Sequence, residues 1–285
     1  MTNEPTAKPL IGIGLMICAV ACFPVMQSCV KALIVNHQMS FIQATWGRYF
    51  FHLLLVPLIF PGTLRALRDA GHLNIQLMRG VMLFLGTCCA FLALAFLPVA
   101  QVTALSFVAP AMVTVMAALY LHETVGMRRW TAVILGIVGV LIVIRPGTEF
   151  SWPLVLPLLM AAFYSVYQIL TRLVGASATP AVSLVFTALV GAACSSALVP
   201  WWWVSPSISG WLLLAGSALA GGLGHWLMIQ AYARTQASII APFAYTELIW
   251  AVALGFTLFG DVPDSATWIG AAIIVISGLY AGRSS

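Results

Sequence analysis

The chain has 285 residues, of which 62% are hydrophobic and only 7% charged, with a mean hydropathy of +1.05. Soluble globular domains carry about 25% charged residues, so a water-soluble globule and a disordered chain are both excluded. Twelve basic against seven acidic side chains give a net +5, but they are scattered through apolar sequence and make no phosphate-tracking patch. Nucleic acid is therefore excluded as a partner, the lipid bilayer takes its place, and the charge balance is read as membrane topology.

A helical span needs about 20 apolar residues. Runs of that kind fall near 10–35, 40–60, 75–96, 99–121, 128–145, 153–173, 180–203, 209–232, 236–259 and 265–282, which predicts an all-α integral membrane protein of ten transmembrane helices with short loops. Turn chemistry or charge separates them: Asn36-His37-Gln38, Pro61-Gly62 with Arg65 and Arg68, His122 to Arg129, Arg145-Pro146-Gly147, and Asp261 to Asp264. The six cysteines (Cys18, Cys22, Cys29, Cys88, Cys89 and Cys194) all lie in apolar runs and read as buried small hydrophobes, not as a disulfide framework or zinc site. The stretch before Cys22 has the small residues of a cleavage site, but apolar sequence continues on both sides, so 10–35 is read as a retained span.

With a cytoplasmic N-terminus, Lys8, Arg65, Arg68, Arg79, Arg128, Arg129, Arg172, Arg234 and Arg283 fall at the inner face, and Lys31 and Arg145 outside. That bias is the positive-inside pattern, and an even number of spans returns the C-terminus to the cytoplasm of a bacterial-type inner membrane. Trp201, Trp202 and Trp203 then close the seventh span at the outer headgroup layer.

The chain also repeats itself. A shift of 141 aligns Gln27 and Lys31 with Gln168 and Arg172; a shift of 138 aligns Ala93 with Ala231, Glu123 with Asp261 and Trp130 with Trp268. The halves, 10–145 and 152–282, are five-helix units, and because five is odd the second enters the membrane from the opposite side. Two inverted repeats can build an inner and an outer gate around one central site, the geometry of a transporter.

A basic residue closing the first helix of each unit, Pro110 followed thirteen residues on by Glu123 at a helix end, Arg129-Trp130 and Gly136-x-x-Gly139 together resemble the EamA-type units of the drug/metabolite transporter superfamily. The resemblance covers essentially the whole chain, twice. In the second unit Tyr245-Thr246-Glu247-Leu248 stands where that family often has a Glu-Pro pair, with Leu248 in place of the proline, and Asp261 stands for its usual terminal glutamate. The resemblance implies ten helices, inward and outward states, and export of small metabolites, with amino acids, aromatic ones included, as the nearest substrate class.

Prolines mark where helices bend. Pro110 in the fourth span frees the carbonyl of Ser106, and Pro242 in the ninth frees that of Ser238; Pro24 does the same in the first span. Each reads as a gating hinge or as a static kink. Glu247 falls at the middle of the 236–259 run, where a carboxylate costs roughly 2.5–3.5 kcal/mol on insertion scales. It reads as a binding or coupling group flanked on one helical face by Phe243 and Trp250, able to hold a zwitterion with an apolar side chain. The bland alternative is a structural hydrogen bond or an ion pair with Arg48, itself read chiefly as structural beside Gly47.

Gln27 and Gln168, at repeat-equivalent positions, fit either a helix–helix hydrogen bond or a polar rim. Thr87 and His225 share a repeat position, His225 following the Gly221-Gly222-Leu223-Gly224 run that allows close helix approach. Tyr164 and Tyr245 can offer hydroxyls and ring faces. The candidate substrate-binding set is thus Gln27, Thr87, Tyr164, Gln168, His225, Tyr245, Glu247 and Trp250.

The rival classes are a passive channel and, further off, an intramembrane enzyme. His122-Glu123 lacks the second histidine of a zinc-protease helix, Ser217 has no nucleophile setting, and no P-loop cradles phosphate, so no cofactor is expected and ATP is not the direct energy source.

Overall fold

The computed structural model describes residues 9–59, 62, 71–120, 126–145, 151–174, 180–234 and 243–282. Several residues singled out above, namely Lys8, Arg65, Arg68, Glu123, Ser238, Pro242 and Arg283, lie outside the described residues.

Hydropathy alone dictates helix here, because a backbone in hydrocarbon must satisfy its own amides. In chain order the helices are α1 (Pro9–Val35), α2 (Phe41–Ile59), α3 (Leu73–Ala93), α4 (Val99–Ser106), α5 (Ala109–Tyr120), α6 (Met127–Ile144), α7 (Val155–Val174), α8 (Pro180–Leu198), α9 (Ile208–Arg234), α10 (Glu247–Phe259) and α11 (Ser265–Gly282). Short 3-10 turns, Trp152–Leu154 and Val199–Trp202, precede α7 and follow α8, and no strand occurs among the described residues. Among the described residues, six stretches are long and apolar enough to cross a bilayer: 10–35, 73–93, 99–120, 152–171, 181–202 and 208–228; three shorter apolar helices cover 130–144, 247–259 and 265–280. Large apolar side chains such as Leu212, Ile249 and Ile276 point outward, which only a lipid surround tolerates on this scale.

Two expected spans differ in form. The run 99–121 is not one bent helix: α4 stops at Ser106, Phe107 and Val108 form a turn, and α5 restarts at Ala109. Pro110 sits in the first turn of α5, where no carbonyl of the same helix lies a turn behind it, so the missing amide hydrogen costs little. The run 236–259 likewise breaks at Tyr245-Thr246, where Thr246 N–H donates to the Phe243 carbonyl at 3.1 Å, before α10 starts at Glu247. A shift of 138 carries the first turn onto the second. The equivalent of Pro110 at the break is therefore Leu248, and Glu247 opens a helix instead of lying mid-helix. Pro24, by contrast, is inside α1, which runs through it uninterrupted.

The packing pairs one half with the other. α1 lies along α9 and α3 along α7; α6 packs on α11, and α2 on α8. The closest approaches need glycine. A Cβ on Gly224 of α9 would meet the Ala19 carbonyl of α1 at 3.0 Å and the Cys22 Cβ at 3.1 Å; one on Gly86 of α3 would meet the Met160 carbonyl of α7 and the Phe163 Cβ, each at 3.5 Å. These are one contact twice, since 138 carries Gly86 to Gly224 and 141 carries Ala19 and Cys22 to Met160 and Phe163. The two helix breaks meet as well: the Phe107 and Tyr245 rings stack edge to face, 5.2 Å between centroids.

Among the described residues, two ion pairs join the halves at the end of the bundle where α1, α6 and α10 terminate. The Lys31 ammonium pairs with Asp261, also donates to the Leu97 carbonyl at 3.5 Å, and lies 4.8 Å from the centre of the Phe259 ring. Arg145 pairs with Asp264. Burial works against charge on Asp264, yet the hydrogen bond from Thr267 N–H at 2.8 Å and the Arg145 guanidinium outweigh it, holding this carboxyl below its ordinary range. Such a pair is present above the ordinary carboxylate range and is lost only as pH falls through the lowered value.

Candidate functional site

Where the two helix breaks meet, the bundle encloses a cavity of about 280 Å³. Its walls come from both halves: Met26 and Gln27 of α1, Arg48 of α2, Gly86 and Thr87 of α3, Thr103, Ser106, Phe107, Ala109 and Pro110 around the first break, Tyr164 and Gln168 of α7, His225 and Met228 of α9, and Glu247 at the start of α10. Of the residues singled out from sequence, Gln27, Thr87, Pro110, Tyr164, Gln168, His225 and Glu247 share this one cavity. Gln27 Oε1 accepts from the Thr103 hydroxyl at 3.3 Å. Tyr164 stacks on Tyr167, 5.7 Å between centroids, and His225 meets Phe23 edge to face at 5.1 Å.

Two of the expected residues are elsewhere, and Pro242 lies outside the described residues. Trp250 is 41% exposed and forms no part of the cavity wall. It stands about 60° around the helix from Glu247, enough to turn an indole from a narrow cavity toward lipid. Tyr245 lines a separate pocket of about 70 Å³ with Phe107, Ser277 and Gly278, so it wedges the second break against α11. Pro24 is buried in α1 and does not reach the cavity.

Arg48 is the main residue whose place sequence reasoning undervalued. It is 8% exposed, and its Nη1 donates to the Thr87 hydroxyl at 3.4 Å while its Nε has no partner among the described residues. The Thr87 hydroxyl donates to the Leu83 carbonyl at 2.8 Å and so can accept from both Arg48 and the Tyr49 hydroxyl, 2.8 Å away. Rings of Tyr49 and Phe91, each 5.7 Å from the guanidinium carbon, supply the remaining stabilisation as cation–π contacts. His52, one helical turn past Arg48, was also missed; the i, i+4 spacing on α2 is the signal that could have found it.

Glu247 completes the electrostatics. Among the described residues it makes no hydrogen bond or ion pair, and in particular no ion pair with Arg48. It is the first residue of α10, at the positive end of the helix dipole, although the Leu248, Ile249 and Trp250 amides already donate to the Tyr245 and Thr246 carbonyls. A buried cation and a carboxylate therefore face one cavity without neutralising each other, an arrangement suited to a ligand carrying both charges.

A helical membrane bundle whose broken helices wall a largely apolar central cavity set with a few polar and charged groups is a membrane transporter in architecture. The chain belongs to the EamA-like transporter family, whose sequence profile matches residues 10–145 and again 151–281. It is a multi-pass membrane transporter of small metabolites. A riboflavin transporter of Vibrio cholerae is 32% identical over 71% of this chain and 69% of its own length. An S-adenosylmethionine uptake transporter of Rickettsia felis is 27% identical over 85% of this chain and 82% of its own. The pseudopaline exporter CntI of Pseudomonas aeruginosa is 26% identical over 96% of each. One solved crystal structure superposes with a TM-score of 0.64 over 95% of both chains at 19% identity, a likeness of fold alone. The relatives' names span uptake and export, so membership carries small-metabolite transport and not the narrower amino-acid export that the resemblance implied.

Proposed function

We propose that the chain is a secondary carrier of zwitterionic metabolites with an aromatic or apolar body, amino acids and their derivatives among them, working by alternating access in a bacterial inner membrane. The observation that carries this reading is the pair of unneutralised charges on one cavity wall, Arg48 for a carboxylate and Glu247 for an ammonium or sulfonium. The start of α5 at Ala109 and Pro110, on the same wall, adds a second electropositive feature for the anionic group. S-adenosylmethionine, named for one relative, has an amino-acid head and a purine body and agrees with such a site; riboflavin, named for another, has a large planar ring but no charged head, and agrees with the apolar part of the site alone. Gln27, Thr87, Tyr164, Gln168 and His225 supply polar and ring contacts, and Pro110 with the 107–108 and 245–246 turns lets the half-helices rock.

In this proposal the ten crossings are two inverted units, supported by the repeated contact of Gly86 and Gly224 and by the exchange-related packing of α1 on α9 and α3 on α7. Lys31–Asp261 and Arg145–Asp264 each join one unit to the other and close the outer end. Net direction follows the gradients, giving export where the metabolite is concentrated in the cytoplasm.

Counterflow in proteoliposomes, run with the twenty amino acids, S-adenosylmethionine and riboflavin, is the direct test. A carrier accelerates labelled uptake into vesicles preloaded with unlabelled substrate, with saturation; absence of acceleration for every compound would sink the reading and leave a channel. Topology has its own check: single cysteines at Arg68→Cys and Thr148→Cys in a cysteine-free background should react with an impermeant maleimide from opposite sides. Reaction of both from one side would overturn the inverted arrangement.

A further inference from the structure

A second chamber of about 500 Å³ lies between α2, α8 and α9, on the inner side of Arg48 in the topology proposed above. α2 packs on both α8 and α9, which make no extended contact with each other among the described residues, and this gap is the chamber. Arg48, Leu83 and His225 line both it and the central cavity, so these side chains form a wall common to the two volumes. Its surface is otherwise mostly apolar, including Val56, Leu184, Leu219 and Trp226, but three buried or half-buried polar groups, His52, Thr187 and Gln230, interrupt it.

We propose that this chamber is a second substrate subsite, which takes the planar heteroaromatic body of a ligand whose charged head is held in the central cavity. The inference rests on the head-group reading of Arg48 and Glu247 and extends it from the charge of the substrate to the size and chemistry of its body. An acyl chain needs only apolar walls. The polar groups interleaved with the apolar ones suit instead a flat ring with edge donors and acceptors. His52 illustrates the match: its Nε2–H donates to the Ala218 carbonyl at 2.8 Å, which leaves Nδ1 as a lone-pair acceptor with no partner among the described residues. Gly222 keeps the space open, since a Cβ there would stand 3.4 Å from the His52 Nε2 and a larger side chain would enter the chamber. Because the two volumes lie side by side at Arg48, a molecule whose carboxylate is held at the guanidinium would place its ring in the chamber once the shared wall gives way.

The test uses the intact chain in proteoliposomes, with S-adenosylmethionine and tryptophan, each bearing a charged head and a heteroaromatic ring, as probes in counterflow. The parent chain should exchange at least one of them; exchange of none overturns the proposal. Gly222→Leu and Leu184→Trp fill the chamber from facing helices, and each should raise the apparent KM for that probe at least tenfold at parental abundance. A KM within twofold of the parent overturns the proposal and leaves the chamber to lipid. Should neither filled variant insert, a single cysteine at Leu184→Cys in a cysteine-free background decides. The exchanged probe should slow its alkylation by N-ethylmaleimide at least tenfold, and no protection overturns the proposal. Failure of the head-group reading is distinguishable, because Glu247→Gln would then leave exchange unchanged while the filled variants still raised KM.

Discussion

Glu247→Gln is expected to insert and fold like the parent chain yet to lose about thirty-fold or more in counterflow rate. The argument is electrostatic. The carboxylate opens α10 inside the bundle, lines the cavity, and has no protein partner among the described residues, so nothing in the resting structure depends on its charge. A ligand ammonium or sulfonium docking there makes a charge-assisted contact, and truncating one partner of such a buried pair costs about 2–5 kcal/mol; 2 kcal/mol is already about thirty-fold. Glutamine keeps the size and hydrogen-bonding shape while removing the charge. The measurement is the initial counterflow rate at matched protein abundance, with thermal stability in detergent as the folding control. A Gln variant with the parental rate would leave Glu247 without a part in binding. Arg48→Gln should behave differently and lower abundance as well, because the guanidinium also holds Thr87 and the Tyr49 and Phe91 rings in place.

Removing one side of the Lys31–Asp261 pair is expected to open the outer end. Asp261→Asn leaves the Lys31 ammonium, 8% exposed, without a counter-charge among the described residues, with only neutral acceptors and the Phe259 ring beside it. Orphaning one charge of a fully buried pair costs about 3–5 kcal/mol. The Asp261 side chain is 23% exposed, so solvent screening reduces that to about 1–2 kcal/mol. A shift of about 1.4 kcal/mol changes a two-state population tenfold. The readout is a single cysteine at Ser106→Cys on the cavity wall, in a cysteine-free background, reacting with an impermeant reagent added outside. Its rate should rise about tenfold in Asp261→Asn and return in the charge swap Lys31→Asp/Asp261→Lys. Equal rates in all three proteins would make the pair a static tie between the halves.

Helix positions were legible in the sequence because the signal is local: a continuous apolar run of about 20 residues satisfies its own amides in hydrocarbon as a helix, and charges and turn residues mark its ends. The central cavity was legible in part for a different reason. Internal repetition exposes symmetric positions, so Gln27 and Gln168, and Thr87 and His225, could be paired without any structure, and a lone carboxylate in an apolar run pointed to Glu247. Tertiary packing decided the rest. The second helix break has no proline within its turn; it is formed by Tyr245 packing on Phe107 and against Gly278, contacts between residues up to 138 apart in sequence. That break makes Glu247 the first residue of a helix and turns Trp250 outward, neither of which periodicity over an unbroken span could anticipate. Whether Arg48 would pair with Glu247 or face the cavity beside it depended on how α2 meets α3 and α10 in space. A local pattern names the charges in a membrane chain, and only the packing of distant helices determines which of them are left without a partner.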